Sequence, residues 1–396
     1  MTPTQQSLRI PTRLGLIQLS LYCWLLYSVG PITLLLRDEL ALSRGEVAMH
    51  SSAMALGFTA AGLVSRRLLT QVRDIVLRRT ALSGVCIGAL ALAGSRTLPL
   101  TLASVFISGF SGALLVNALN NAVAVAHGPQ SVQALAKIHA AAASVGVSAP
   151  LLIGAVVDVE RSWRLLLLLF AVLVAVVTLI GRSSFSSTHG HERPLTADAA
   201  DRSRYRVCVI TLLAGMVIEF TTALFASDIV RTQTGAATGT ATATAASFLA
   251  GFAAGRWGAA HLSSRVGAAK IMVSAFALCA IGSAAVATAS SVGMAGAGLV
   301  VLGLGCGPAY PLLVAESVKY SPQGSVKAVS RIGLLSGLVI GLSPLLLGRL
   351  ADLPELGIPF LLVALCGTSL AAAALLYRSF VYASRRTANH ENSGQM

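Results

Sequence analysis

The sequence predicts an all-α membrane protein with twelve transmembrane helices arranged as two parallel six-helix repeats. Three observations predict it. Apolar runs long enough to cross a bilayer recur along the whole chain of 396 residues. The arginines and lysines cluster between these runs and favour alternate loops. The two halves of the sequence match each other at a single offset.

Composition sets the solvent. The chain is 55% hydrophobic and only 11% charged, with mean hydropathy +0.77. Soluble domains carry about 25% charged residues, so a soluble core of this apolarity would leave little to face water. The net charge of +14 invites a nucleic-acid reading, but the basic residues are dispersed in short clusters, as membrane topology requires. Arginine dominates: the only lysines are Lys137, Lys270, Lys319 and Lys327. With abundant Ala and Gly, this is the composition of a GC-rich bacterial genome. Cys23, Cys86, Cys208, Cys279, Cys306 and Cys366 all fall in apolar runs without CxxC spacing. They read as small buried hydrophobes, not disulfides or metal ligands. The run after Arg13 is too long for a cleavable signal, and no cleavage site follows it.

The expected spans are 15–36, 46–65, 80–95, 99–124, 133–157 and 163–181 in the first half. In the second they are 206–228, 236–256, 268–289, 293–316, 328–348 and 357–377. Each covers or nearly covers a hydrocarbon layer of about 30 Å at about 1.5 Å per residue. With the N-terminus inside, 22 of the 29 Lys and Arg lie on the cytoplasmic side and 7 outside. Both termini are therefore expected to be cytoplasmic. The polar stretch 183-SSFSSTHGHERPLTADAADRSR-204 reads as a linker between bundles at 1–182 and 205–396. His189 and His191 within it read as solvated linker residues.

The repeat appears at an offset of 194 residues without gaps. Gly57-Phe58 falls on Gly251-Phe252, Gly88 on Gly282 and Gly109 on Gly303. The segment 150-PLLIGAVVD-158 falls on 344-PLLLGRLAD-352. An even number of spans per half gives both halves the same topology. The shared Gly and Pro read first as helix packing and kinking. Pro150 and Pro344 are also candidate flexing points.

With these features the chain resembles the major facilitator superfamily over its whole length. The family's loop signature after span two is roughly G-x-x-x-D-R-x-G-R-R. Here 66-RRLLTQVRDIVLRR-79 keeps the basic cluster, with Thr70 at the acid position and Arg73 at the glycine. In the second copy, 255-GRWGAAHLSSRVGAAK-270, the residues Gly255, Arg256, Arg265 and Gly267 fit, with Ser264 at the acid position. The resemblance implies gating roles for Arg66, Arg67, Arg73, Arg256, Arg265 and Gly267. Within the superfamily the chain looks like the fucose permease-like, sugar-transporter-like branch. That likeness rests on Gly109, Gly112 and Asn117, on 139-HAAAASVGVSAP-150, on 303-GLGCGPAYP-311 and on 337-GLVIGLSPLLLG-348. The branch often carries an acid followed five positions later by Asp-Trp in span seven. Glu219 matches the acid, while Leu224 and Phe225 replace the pair.

Most of the fifteen acidic residues lie in loops or near span ends, and Glu316 lies near a cytoplasmic end; only Glu219, in 215-GMVIEFTTALF-225, lies deep. It sits roughly 20 Å along the helix from Arg206. No deep Lys or Arg is expected to neutralise it, and a lone charge there costs about 2.5–3.5 kcal/mol on insertion scales. Burial disfavours a carboxylate and water access favours it, so a carboxyl alternating between the two can carry a proton. Glu219 is the expected proton-coupling residue; a neutral, helix-bonded glutamic acid is the plainer reading. His139, roughly 9 Å into span five, is a second proton relay or a structural hydrogen-bonder. Asn117 and Asn121 share a helix face at i, i+4 and either bind solute or join helices. Trp24, Tyr27 and Tyr310 are aromatic cavity candidates. Glu316 and Arg331 are a candidate gating pair at adjacent span ends.

The resemblance implies a secondary transporter of a small organic solute. Proton-coupled uptake of a sugar-like solute stands beside drug or metabolite export by proton antiport. Ala149-Pro150 and Gly154 only partly echo the drug-antiporter pattern of span five. No phosphate-binding loop points to ATP. One deep Glu and one deep His in different halves do not make an enzyme site. A transporter-like sensor is a remote alternative. No cofactor, metal or nucleic-acid partner is expected. The partners are a solute, protons and lipid, for a monomer in the bacterial inner membrane.

Overall fold

The computed structural model of the chain describes residues 3–127, 131–180, 201–263, 265–322 and 325–382. The expected linker falls almost entirely outside these, as do His189 and His191. Among the described residues all regular structure is helical, in twelve spans. The first six are Pro3–Leu40, Arg44–Gln71, Asp74–Gly94, Leu98–His127, Ser131–Gly146 with Ser148–Asp158, and Arg164–Ile180. The second six are Arg202–Thr234, Thr238–Thr244 with Ala246–Leu262, Ala268–Ala287, Val292–Cys306 with Ala309–Tyr320, Ser325–Ala351, and Gly357–Leu376. Ten of the helices are long and apolar enough to cross a membrane. Span six, Arg164–Ile180, is shorter, and span eight is divided at Ala245. The chain is a multi-pass membrane protein.

The helix ends follow from local chemistry. Ser43 and Glu46 form a reciprocal capping box at the start of span two. The Asp201 carboxylate accepts the amides of Ser203 and Arg204 at the start of span seven. Gly235, at φ 67°, ends that span in the left-handed conformation. Span three begins at Asp74, well before the expected residue 80, because Arg78 is drawn into the protein by Asp74 and Gln18.

Prolines explain two of the interruptions and one that does not occur. A proline cannot donate to the carbonyl four residues before it. Span five breaks at Val147, beside the Gly146 carbonyl that Pro150 leaves without a helical donor. Span ten breaks at Gly307-Pro308, where Pro311 does the same to Gly307. Pro344 lies inside an unbroken span eleven. The carbonyl it frees, Ile340, accepts the Ser51 hydroxyl from span two at 2.8 Å.

Two hydrophobic cores form. One draws on residues 19–174. The other draws mainly on residues 205–380 and takes in Val47, Ala48 and Ala55 of span two. The repeated glycines are close-approach points in both: a Cβ on Gly109 would meet Met54 of span two, and one on Gly303 would meet Phe248, Gly251 and Phe252 of span eight.

Cross-half packing concentrates at the end opposite the chain termini, called the far end below. Spans one and seven touch backbone to backbone, and a Cβ on Gly30 would collide with the Ala223 carbonyl. Spans five and eight meet at Gly154 and Gly239. Spans two and eleven zip together through Ala48 and Gly348, Ser52 and Gly341, and Thr59 and Gly337. One turn further on, a Cβ on Gly62 or on Gly333 would have no neighbour within 4 Å. The halves are shut at the far end, and toward the end that carries the termini Gly62 and Gly333 face open space.

Candidate functional site

An ionic lock seals the far end. Asp228 of span seven accepts Arg37 of span one at 2.7 Å and Arg44, the first residue of span two, at 2.7 Å. Its side chain is only 6% exposed. Arg231, also on span seven, pairs with Asp38 of span one. Asp352, just after span eleven, accepts the backbone amides of Arg44 and Gly45 at 2.7 and 2.8 Å. These amides have no helical acceptor of their own and carry the positive end of the helix dipole. At the repeat offset Asp158, the last residue of span five, lies against Gly239 at the start of span eight. Within the Arg-Asp cluster Arg37 and Arg231 are mates at the same offset, while position 34, opposite Asp228 in the repeat, is leucine.

Behind the lock lies a cleft holding roughly 700 Å³ of empty space, its open mouth included. Both halves line it: Tyr27, Met54 and Pro150 from spans one, two and five, and Glu219 and Phe248 from spans seven and eight. Its lining is mostly apolar, and Ser51 in its wall already donates to Ile340. Glu219 is half-buried there.

In the sequence Arg256 ends an apolar run and reads as a cytoplasmic loop charge, with no deep cation expected. The helix instead continues to Leu262, so Arg256 lies inside it, half-buried. Side chains on a helix lean toward its N-terminus. The guanidinium therefore runs back over Phe252, 4.3 Å from the ring centroid. Its Nε donates to the Gly307 carbonyl at 3.3 Å, the acceptor that Pro311 frees. Among the described residues no carboxylate lies within 4 Å of it. It lies within electrostatic reach of Cys23 and Tyr27 on span one, His139 on span five, Glu219 on span seven and Tyr310 on span ten. The cation thus acts on groups of both halves.

Comparison with solved structures decides the fold. A variant of the nucleoside transporter NupG superposes with a TM-score of 0.73 at 12% identity, covering 94% of this chain and 100% of that one. A bacterial homolog of the human lysosomal transporter Spinster, inward-facing and occupied, gives 0.70 at 14% identity, covering 96% and 98%. The E. coli fucose:proton symporter FucP gives 0.60 at 17% identity, covering 93% and 98%. This chain has the major facilitator fold. It matches no family model and no curated protein sequence.

Within the major facilitator fold the expected site residues separate. Glu219 and Tyr27 share the cleft with Pro150. Tyr310 is exposed, within electrostatic reach of Glu219 and Arg256. His139 lies beside them, with Nε2 2.8 Å from Asn120 Oδ1. Trp24 does not reach the cleft: it is 8% exposed and stacks on Phe170 of span six at 5.1 Å. Asn117 turns to span two and donates to Ser65 at 2.8 Å, while Asn121 is exposed. Glu316 and Arg331 form no ion pair among the described residues; Glu316 lies within electrostatic reach of Cys208 of span seven, and Arg331 is exposed.

The loop candidates are peripheral. The Arg66 side chain lies outside the described residues. Arg67 is exposed and donates to Gln71 of its own helix. Arg73 and Arg265 are exposed in loops, and Gly267 precedes span nine with open space around it. The basic residue of the first loop that the protein buries is Arg78, 1% exposed, bound by Asp74 and Gln18. The Asp74-Arg78 spacing of i, i+4 was the available signal. Nothing in local sequence pointed to the far-end lock, whose members lie up to 308 residues apart.

Proposed function

We propose that the protein is a secondary transporter that moves a small organic solute by alternating access, coupled to protons through Glu219. The observation that carries this reading is the position of Glu219. Its carboxyl lines a cleft built from both halves, behind a far end that is locked and beside a terminal end that is open. Rocking of the halves about such a cleft exposes its walls to each side in turn. The carboxyl then meets water on one side at a time, as a proton carrier requires.

The charge bias of the loops supports a bacterial inner-membrane protein with cytoplasmic termini. The locked end is then the outer one, and the structure is the inward-open state. The apolar lining favours a solute with a hydrocarbon body over a sugar. Of the two roles open to Asn117, the bond to Ser65 of span two supports the joining of helices.

The test is transport in proteoliposomes. Under an imposed pH gradient the wild-type protein should accumulate or expel solute, and the sign gives uptake or export. Glu219→Gln should abolish gradient-driven movement and spare solute exchange. Unchanged gradient dependence in this variant sinks the proton role.

A further inference from the structure

Among the described residues, Arg256 has no carboxylate within 4 Å. A half-buried guanidinium inside a membrane bundle is costly and marks a functional site when it lacks a permanent counter-ion. Two contacts hold it rigid: its Nε donates to Gly307, and its Cζ lies over Phe252. With Nε engaged, the two terminal nitrogens remain as a planar fork. That fork matches the two oxygens of a carboxylate end-on. The side chain leans back along span eight over Phe252, and one turn before Phe252 the residues Phe248 and Leu249 line the cleft. The cleft continues past Leu26 and Phe220 to Glu219.

We propose that the carried solute is a small organic monocarboxylate with an apolar body, and that Arg256 is the residue that holds its carboxylate. This deepens the proton-coupled reading and rests on it for the part played by Glu219. One arginine matches one negative charge, so a dianion such as a phosphate ester would stay half-neutralised.

The charges balance through the cycle. In the empty cavity Arg256 and ionised Glu219 cancel. With an anion on Arg256 and a proton on Glu219 they cancel again. Either half-loaded form carries one net charge through a low-dielectric core, which is unfavourable. Only the empty and the doubly loaded carriers then cross readily, and that couples solute to proton. The other titratable groups in reach of this pair are Cys23, Tyr27, His139, Cys306 and Tyr310.

The test is calorimetric titration of the full chain in detergent with phenylacetate, 4-methylpentanoate and lactate, each beside its neutral amide. At least one carboxylate should bind at least about tenfold more tightly than its amide, as charged hydrogen bonds require. Arg256→Gln should remove this preference. Arg256→Lys should keep only part of it, having the charge without the fork, and it carries the test if Arg256→Gln does not fold. Equal binding of acids and amides, unchanged preference in both variants, or no binding of any carboxylate overturns the proposal. Uptake by proteoliposomes separates it from the underlying reading. Arg256-dependent carboxylate binding with uptake indifferent to pH removes the proton role alone. Gradient-driven uptake of a neutral solute removes the anion site alone.

Discussion

Asp352 caps a helix that belongs to the other half of the molecule: its carboxylate accepts the amide of Arg44, the first residue of span two, at 2.7 Å. The side chain of the same Arg44 turns to Asp228 at 2.7 Å. One residue of the first half is thus held by two helices of the second, at the end where the halves are shut.

Asp228→Asn should loosen that end. It leaves Arg37 and Arg44 facing each other without a carboxylate, and hydrogen bonds to charged groups contribute about 1.5–3 kcal/mol. A loss of about 2 kcal/mol shifts a two-state equilibrium roughly thirty-fold. Spin labels on the far-end loops should then report a larger separation across the halves. An unchanged distance distribution refutes the lock.

Gly30→Ala should act on the same equilibrium through space instead of charge. The added methyl meets the Ala223 carbonyl, a backbone atom that cannot turn aside. Overpacking of this kind costs about 1–3 kcal/mol. The shut far end should become the disfavoured state, and transport should slow. Gly62→Ala, whose methyl meets nothing within 4 Å, should leave the same distances and rates nearly unaltered. Similar behaviour of the two variants would show that the close contact does not control closure.

Ser51→Ala tests the proline-freed carbonyl. Ile340 loses its donor while Pro344 still denies it a helical one. The expected loss is about 1 kcal/mol of far-end closure, a smaller change in the same direction as Asp228→Asn. Ser51→Thr, which keeps the hydroxyl, should restore most of it.

Arg78→Ala should damage stability and not conformational balance. Arg78 is buried with its carboxylate partner Asp74 and the Gln18 amide within one half. Removing one member of a buried pair costs about 3–5 kcal/mol. Thermal unfolding in detergent should shift downward for Arg78→Ala. Asp74→Asn, which takes the carboxylate away from Arg78, should shift it in the same direction. A normal transition in both variants would refute the buried pair.

The number of spans was legible because hydropathy is a local property: each helix must be apolar over its own length whatever its neighbours do. The repeat was legible because it lies in the order of residues. Glu219 was legible because a carboxylate in an apolar run stands out without any contact. Arg256 was not, because a charge near the end of an apolar run reads as a boundary. Only the helix continuing to Leu262, and the arginine folding back over Phe252, bring it inside. Trp24 was misread for the converse reason: depth along a helix is set by sequence position, but the face is set by the neighbouring span. Here that neighbour is Phe170 of span six, not the cleft.

By itself, then, the sequence determined a membrane protein of two like halves with one deep carboxyl, since those follow from transfer free energy and residue order. The tertiary structure decided what faces that carboxyl and which end is shut. Arg44 and Asp352 are 308 residues apart in the chain, and no local preference encodes their meeting. It depends on how two separately folded bundles lean on each other.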